Sequence, residues 1–433
     1  MSSVPTDWAS DRLKDVAAIN AAALSAGTDT DYEFDYLEIS NVEYHGIVDP
    51  NAIERLRFED APSRARRRVA AGSTVISSVR PNLQAVAFFP DAPAHFVCST
   101  GFNVVEPQPS RLAPQFAYYH LISENARQFF EAAATGVGYP AVGDKEFSAI
   151  AVPLPPLPEQ QRIAAYLDAS CVAIDAAVAA KRRQLETLDA LRKSTIERAV
   201  TYGIAAHPKL RQVDNEWLKE VPAHWDVCRV KRVLARMDYG ISVSTVEEGR
   251  YPVLKMGHLQ DGEIRFSNLD FVDEVDDSLI LDTGDLLYNR TNSPDQVGKA
   301  AVFRKSRTDA ITFASYLVRL RVNHRANAWF LNYVFNSDGF LGFARRLAIP
   351  SVQQSNLNST RYSRMFVPLP PVGEQETIRA YLDEKIGEVN RIVATIESQI
   401  ATLTAYRKSL IHECVTGQRR ITEADLNQVK AHG

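Results

Sequence analysis

Residues Arg64-Ala65-Arg66-Arg67-Arg68 put four guanidinium groups into one short stretch, and Arg80 and Asn82 follow the next apolar run. Guanidinium groups can bond phosphate oxygens, and can grip the O6 and N7 edge of guanine with two parallel N–H donors. A second collection lies far along the chain: Lys255, His258, Arg290, Asn292 and Ser293, then a loop carrying Gln353, Gln354, Asn356 and Asn358. Asparagine and glutamine amides set a donor beside an acceptor, which matches the N6 and N7 edge of adenine. Tyr139, in the loop Gly136-Val137-Gly138-Tyr139-Pro140, is counted with the first set. Both sets point to recognition of nucleic acid rather than to bond-making chemistry. The bland alternatives are a solvated face for the arginine run and an ordinary polar turn for the Gln/Asn loop.

Motifs that carry catalysis are missing. The chain contains no GxxxxGK[ST] phosphate loop, no HExxH zinc site and no GxSxG nucleophile elbow. Gly136-Val137-Gly138 lacks the third glycine of a dinucleotide fingerprint and follows a helical pattern instead of a strand. Pro294-Asp295 with Lys299 is a fragment of a metal-dependent nuclease pattern without its second acidic ligand, so a turn between strands is the simpler reading. The nine histidines show no ligand spacing, and the four cysteines, at 98, 171, 228 and 414, form no CxxC pair. The chain is expected not to be an enzyme and to hold no metal or cofactor of its own.

The elements that must position these side chains come as a duplication. From Val152 to Thr201 and from Val367 to Thr416, 24 of 50 aligned pairs are identical, at a constant offset of 215 and without a gap. Both copies open on Pro-Leu-Pro-Pro, at 153–156 and 368–371, which cannot be helical because proline lacks the amide donor and biases its predecessor toward extended backbone. Both then run into a long helix. Leu167, Cys171, Ile174, Val178, Lys181, Leu185, Leu188, Arg192, Thr195 and Ala199 step by four and three, and Leu382, Ile386, Val389, Val393, Ile396, Ile400, Leu403, Arg407, Leu410 and Cys414 repeat the series. A seam held at 3.5 residues over more than four heptads favours supercoiled helices, with each other as natural partners. A helix of some forty residues is roughly 60 Å long, a rod rather than part of a compact core.

The repeat extends to whole halves. Val4-Pro5-x-x-Trp8 matches Val221-Pro222-x-x-Trp225, and Arg12 and Lys14 match Arg229 and Lys231. The expected division is residues 1–152 and 221–366 as heads, 153–204 and 367–420 as spacer helices, 205–220 as a connection and 421–433 as a tail. Within the heads, strands are expected over Tyr36–Val42, Thr74–Val79, Gln84–Phe89 and Phe96–Val105, then a helix over Pro114–Ala134. The second head gives Tyr251–Met256, Leu286–Arg290, Lys299–Phe303, Ile311–Val322 and a helix over Ala328–Ala348. From Pro140 to Pro153 is 13 residues and from Pro350 to Pro368 is 18, which predicts tip loops differing by five. The fold class is mixed α/β, two tandem recognition heads with two long helices between and after them.

At 433 residues, more than one core is expected; 45% hydrophobic and 24% charged residues are ordinary for a globular chain. No apolar run approaches the roughly 20 residues that span a bilayer, and Met1-Ser2-Ser3-Val4-Pro5 has no signal-peptide core, so no membrane association and a cytoplasmic location are expected. A net charge of −4 does not advertise nucleic-acid binding, but the electrostatic footprint is a local patch.

A Val-Pro-x-x-Trp lead, a domain of about 150 residues, then Pro-Leu-Pro-Pro-x-x-Glu-Gln before a long helix ending in Arg-Lys-Ser, all present twice, resembles the specificity subunit of type I restriction-modification systems. The likeness covers nearly the whole chain; Gly373 stands where the first copy has Pro158. The resemblance implies two target-recognition domains, each reading one half of a split sequence in double-stranded DNA, with the two rods packed as an antiparallel coiled coil of fixed length. It also implies that catalysis belongs to other polypeptides: two modification (methyltransferase) subunits holding S-adenosylmethionine, and restriction/translocase subunits using ATP and Mg. Glu159-Gln160 and Glu374-Gln375 at the helix starts, with Arg192-Lys193 and Arg407-Lys408 near the helix ends, are the expected partner contacts. Arg192 and Arg407 fall on the seam, where an unpaired charge destabilises a coil, so either the seam opens there for a partner protein or the arginines snorkel. The competing function is a coiled-coil scaffold whose heads bind proteins and never touch DNA.

Overall fold

The computed structural model describes residues 5–42, 48–80, 85–136, 140–304 and 310–432. It divides into two units, one of Met1–Arg182 with Glu397–Gly433 and the other of Arg183–Ile396. The long helices therefore change unit along their length.

In the first unit a four-stranded antiparallel sheet has the order Ala17–Ile19, Phe102–Pro107, Ser73–Ser77, Val86–Phe89. A second four-stranded sheet runs Glu54–Arg57, Glu33–Leu37, Phe96–Ser99, Ala65–Arg68, its two central strands parallel. Ser73–Ser77 is buried throughout, as a central strand covered on both faces must be. Helices Pro114–Leu121 and Glu124–Ala133 close the core over Ile76, Phe116 and Phe130.

The second unit repeats this order with Leu234–Tyr239, Leu317–Val322, Leu286–Asn289 and Ala300–Val302 in one sheet, and Asp270–Val272, Tyr251–Leu254 and Thr312–Phe313 in the other, which has three strands and whose last two run parallel. Helices Ala328–Phe335 and Asp338–Leu347 take the places of the first unit's pair. Each lead-in proline segment is an edge strand, where a missing amide costs least: Ala151–Leu154 pairs with Ala9–Arg12, and Phe366–Leu369 with Asp226–Arg229.

The single helix expected in each head is in fact two. The first ends at Leu121, Ser123 caps the second by accepting from the Ala126 amide with its side chain, and the break recurs at Ser337. Ala65–Arg68 and Glu54–Arg57 are strands that alternation did not reveal, because their outward positions are charged and their inward ones few. The expected connection carries strand Leu210–Gln212, paired with Glu220–Pro222. The expected tail is a helix, Glu423–His432, whose Leu426 joins the first unit's core.

The long helices span Leu157–Tyr202 (46 residues) and Val372–Val415 (44 residues). All twenty seam positions are buried or half-buried, so the 3.5-residue period holds. Inside the first unit the helix segments run antiparallel: Arg162 bonds the Ile421 carbonyl, Asp175 pairs with Arg407 at 3.2 Å, and Lys181 bonds Gln399 at 2.6 Å. Leu167, Cys171 and Ile174 pack there with Leu410 and Cys414; in the second unit Ala199 shares a core with Ile378 and Leu382. The first long helix does contain an 18-residue window of mean hydropathy 1.6, long and apolar enough to cross a membrane. The expectation that no such run exists is corrected; Ile163, Leu167, Cys171 and Ile174 of that helix are core residues.

Glycine ends both helices in the left-handed conformation, Gly203 with φ +75° and Gly417 with φ +78°. A Cβ at Gly417 would lie 2.4 Å from Pro5 Cγ, so only glycine lets the amino-terminal segment approach.

Candidate nucleic-acid interface

In the second head the strand Leu286–Asn289 delivers Arg290 to the surface. The Arg290 amide donates to the Tyr316 carbonyl (2.9 Å), its guanidinium donates to the Ser315 carbonyl (3.2 Å), and its Cζ lies 5.1 Å from the centre of the Tyr239 ring. The chain continues as Thr291–Asn292, which pairs with Gln354–Asn356, which pairs with Ile349–Ser351. The Gln/Asn loop is therefore a β-hairpin. Asn356 donates to the Thr291 hydroxyl (2.8 Å) and ties the hairpin to Arg290's strand. Gln353 and Gln354 are exposed, and Gln353 holds a φ of +61°, rare for a residue with a Cβ. Ser293 bonds Asp295, whose carboxyl is held below its usual range chiefly by that bond.

Three of the expected contacts belong elsewhere. His258 is 8% exposed; its Nδ1 accepts from the Lys255 amide (2.8 Å), so Nε2 carries the proton donated to the Ser267 carbonyl (3.0 Å). Burial pushes its pKa down, and it serves as a neutral brace for a turn. Lys255 is in an ion pair with Asp270 and bonds Thr245. Asn358 caps the helix Ser359–Arg364, accepting from the Arg361 amide (2.9 Å).

In the first head the arginine run is a strand, and it splits by face. Arg64 forms a two-bond pair with Glu38 (2.9 and 2.8 Å). Arg67 turns inward, bonding the Phe102 carbonyl and Asn103. Arg66 lies over Phe58 at 4.6 Å and Arg68 over Tyr32 at 5.7 Å, so these two keep a presented guanidinium on aromatic support. The single continuous cationic patch expected of this run is thereby corrected to two arginines. Arg80 is exposed with φ +49°, beside a bridge from Val79 to Ala141 that is itself bridged to Thr135. Asn82 and Tyr139 lie outside the described residues.

These bridges reproduce the second head's arrangement. The Val142 amide bonds the Ser78 carbonyl as the Leu357 amide bonds the Arg290 carbonyl, which equates Ser78 with Arg290, Arg80 with Asn292 and Ala141 with Asn356. Pro140 then corresponds to Ser355 and not to Pro350, so the expected five-residue difference is corrected to one residue within the hairpin. The two heads share this pairing frame, and the sequences enclosed by it differ. Sequence reasoning missed Tyr239 (45% exposed), Tyr316 (49%) and Val352 (91%). Only Val352, an apolar residue between polar ones, left a signal.

The expected partner contacts are largely turned inward. Gln160 and Gln375 are fully buried and make matching bonds: each accepts one amide, Ala113 or Asn327, and donates to two carbonyls, Arg111 and Pro155 or Arg325 and Pro370. They lock the proline lead-in to its head. Glu159 is 7% exposed and pairs with Arg420, whose guanidinium lies over Trp8. Glu374 accepts from Trp225 (3.0 Å) and bonds His224 (2.8 Å). Arg407 is 7% exposed and paired with Asp175, so the seam does not open there. Arg192 is half-buried, whereas Lys193 and Lys408 are exposed, Lys193 paired with Asp189.

Residues 5–186 match the family described as the type I restriction modification DNA specificity domain. Over 445 residues the chain is 21% identical to the type I restriction enzyme MjaIX specificity subunit of Methanocaldococcus jannaschii, covering 97% of this chain and 95% of that one. The match places a type I restriction modification DNA specificity domain at residues 5–186. A second relative from the same organism, provisionally named the MjaX specificity subunit, is 25% identical over 203 residues, 46% of this chain and 47% of that one, so about half that relative's length is spanned. The same fold occurs in a chain from a structure of type I restriction-modification complex assembly and conformational transition, with TM-score 0.78, 22% identity and coverage of 96% and 99%.

Proposed function

We propose that this chain is a type I restriction-modification specificity subunit that binds double-stranded DNA and reads a bipartite target, one half-site per head, while scaffolding modification and restriction subunits. One observation carries the reading: the same pairing frame stands in both heads, on the Val79–Ala141 and Thr291–Asn356 pairings, and the sequence it encloses differs between them. Two different half-sites require that combination of shared frame and divergent tip. Arginines position the fingers by phosphate contacts, and tip side chains reach the base edges. The chain itself performs no catalysis. S-adenosylmethionine, ATP and Mg2+ are assigned to the partner subunits, two modification subunits are the proposed complement, and the cytoplasm is the proposed location. The lengths of the two long helices, 46 and 44 residues, are proposed to set the gap tolerated between half-sites.

Salt dependence tests the reading. Neutralising four phosphates gives a slope of log affinity against log salt of about −4. A flat dependence, or no binding to any duplex in a randomised pool, contradicts DNA recognition and favours a protein scaffold. A heptad inserted into both helices should change the accepted gap; an unchanged gap rejects the spacing role alone.

A further inference from the structure

The second head's finger ends in apolar surface. Val352 is 91% exposed and Ile349 48% exposed, on a hairpin that two rows of strand pairing and the Asn356–Thr291 bond hold out rigidly. Among the described residues, nothing in the core of the second unit uses Val352. The surroundings say what does. From Gly339 to Arg364 the sequence has four arginines, Arg345, Arg346, Arg361 and Arg364, and no acidic residue. The corresponding stretch of the first head, from 125 to 149, holds Glu131, Asp144 and Glu146 beside Arg127 and Lys145. Arg361 donates to the Leu347 carbonyl (2.8 Å) and Arg345 to the Asp295 carbonyl, which sets these two beside the hairpin. An apolar knob next to two cations, flanked by the Gln353 and Gln354 amides, matches a polyanion that itself carries an apolar knob. The major groove offers one such group, the 5-methyl of thymine, next to the adenine edge that an amide reads.

We propose that the hairpin Ile349–Asn356 enters the major groove at an A·T pair, with Val352 packed on the thymine methyl group. This rests on the DNA-binding reading above and adds the base and the atom contacted. Val352 acts as a specificity residue through shape, and the neighbouring arginines hold the finger at depth by phosphate contacts.

The full-length subunit is first used to select duplexes from a randomised pool. Each thymine of the selected duplex is then replaced singly by deoxyuridine, which removes only the methyl group. Burial of one methyl predicts that one position loses about fourfold in affinity. Val352→Gly should bind the thymine duplex about as weakly as the wild type binds the uracil one and should lose the thymine preference at that position, while Val352→Ile should keep it. The proposal is overturned if DNA is bound but no single thymine-to-uracil change matters, or if the preference survives in Val352→Gly. It is equally overturned if that variant binds DNA normally and instead loses the modification subunits. Absence of DNA selection by the wild type refutes the underlying reading as well, a result distinguishable from the others.

Discussion

Replacing Gln375 by alanine should open the joint between the second head and its helix without touching any surface. Gln375 is fully buried, and its amide accepts from the Asn327 N–H (2.7 Å) and donates to the carbonyls of Arg325 (3.0 Å) and Pro370 (2.8 Å). Alanine leaves one amide and two carbonyls without these partners. At about 1 kcal/mol net for each bond the loss is about 3 kcal/mol, close to a hundredfold in the local opening equilibrium. Hydrogen exchange in the full-length chain measures this directly, because the Asn327 amide reports the bond and the Trp329 and Phe330 amides report the cap that Asn327 makes on them. Protection of this segment should fall about a hundredfold while the first unit's amides are unchanged. Gln160→Ala should do the same at Ala113. Protection within threefold of wild type, together with failure to assemble with modification subunits, would refute the reasoning and return Gln375 to a contact surface.

Other outcomes follow from particular contacts. His120 is buried, and burial pushes its pKa down to about 4. The unfolded chain takes up a proton near pH 6.5 that the folded one refuses, so stability falls as pH drops from about 6.5 to 4, by about 3 kcal/mol, and His120→Leu should flatten denaturation profiles there. Cys414 is fully buried and burial pushes its thiol up to about 12; removing residues 421–433, whose Ile421 and Leu426 pack in the same core, should make it react with maleimide, whereas continued protection would show the terminal helix covers nothing. Asp175→Asn should cost about 1 kcal/mol by removing the carboxylate 3.2 Å from Arg407, a modest value because Asp175 is half-exposed; no change in melting would show that this ion pair contributes nothing. Gln353→Ala with Gln354→Ala should relax one half-site, each lost two-bond contact costing about 1 to 3 kcal/mol, as read from the methylated motif; an unaltered motif makes them a plain turn.

Legibility followed burial and repetition. The seam residues from Leu167 to Ala199 and from Leu382 to Cys414 announced themselves because a rod repeats one contact many times, and the pairing of the heads followed from the constant offset. The site was less legible because side-chain type does not state direction. Arg64, Arg67 and His258 have the chemistry of base or phosphate contacts but bond Glu38, the Phe102 carbonyl and the Ser267 carbonyl. Gln160 and Gln375 recur in both copies because each locks a joint. Tyr239 and Tyr316 gave no signal, since a tyrosine at a strand end is as often buried. The finger itself was hidden by aligning Pro140 with Pro350, a register that only backbone pairing corrects.

Mapping methylated bases across the genome of the source strain, with and without this chain, tests the central claim most directly. Two recognition heads on one chain predict that a single bipartite motif, two short half-sites at one fixed gap, loses methylation when the chain is removed and regains it when the chain is restored. Unchanged methylation at every motif, or loss of an undivided motif, would contradict the account.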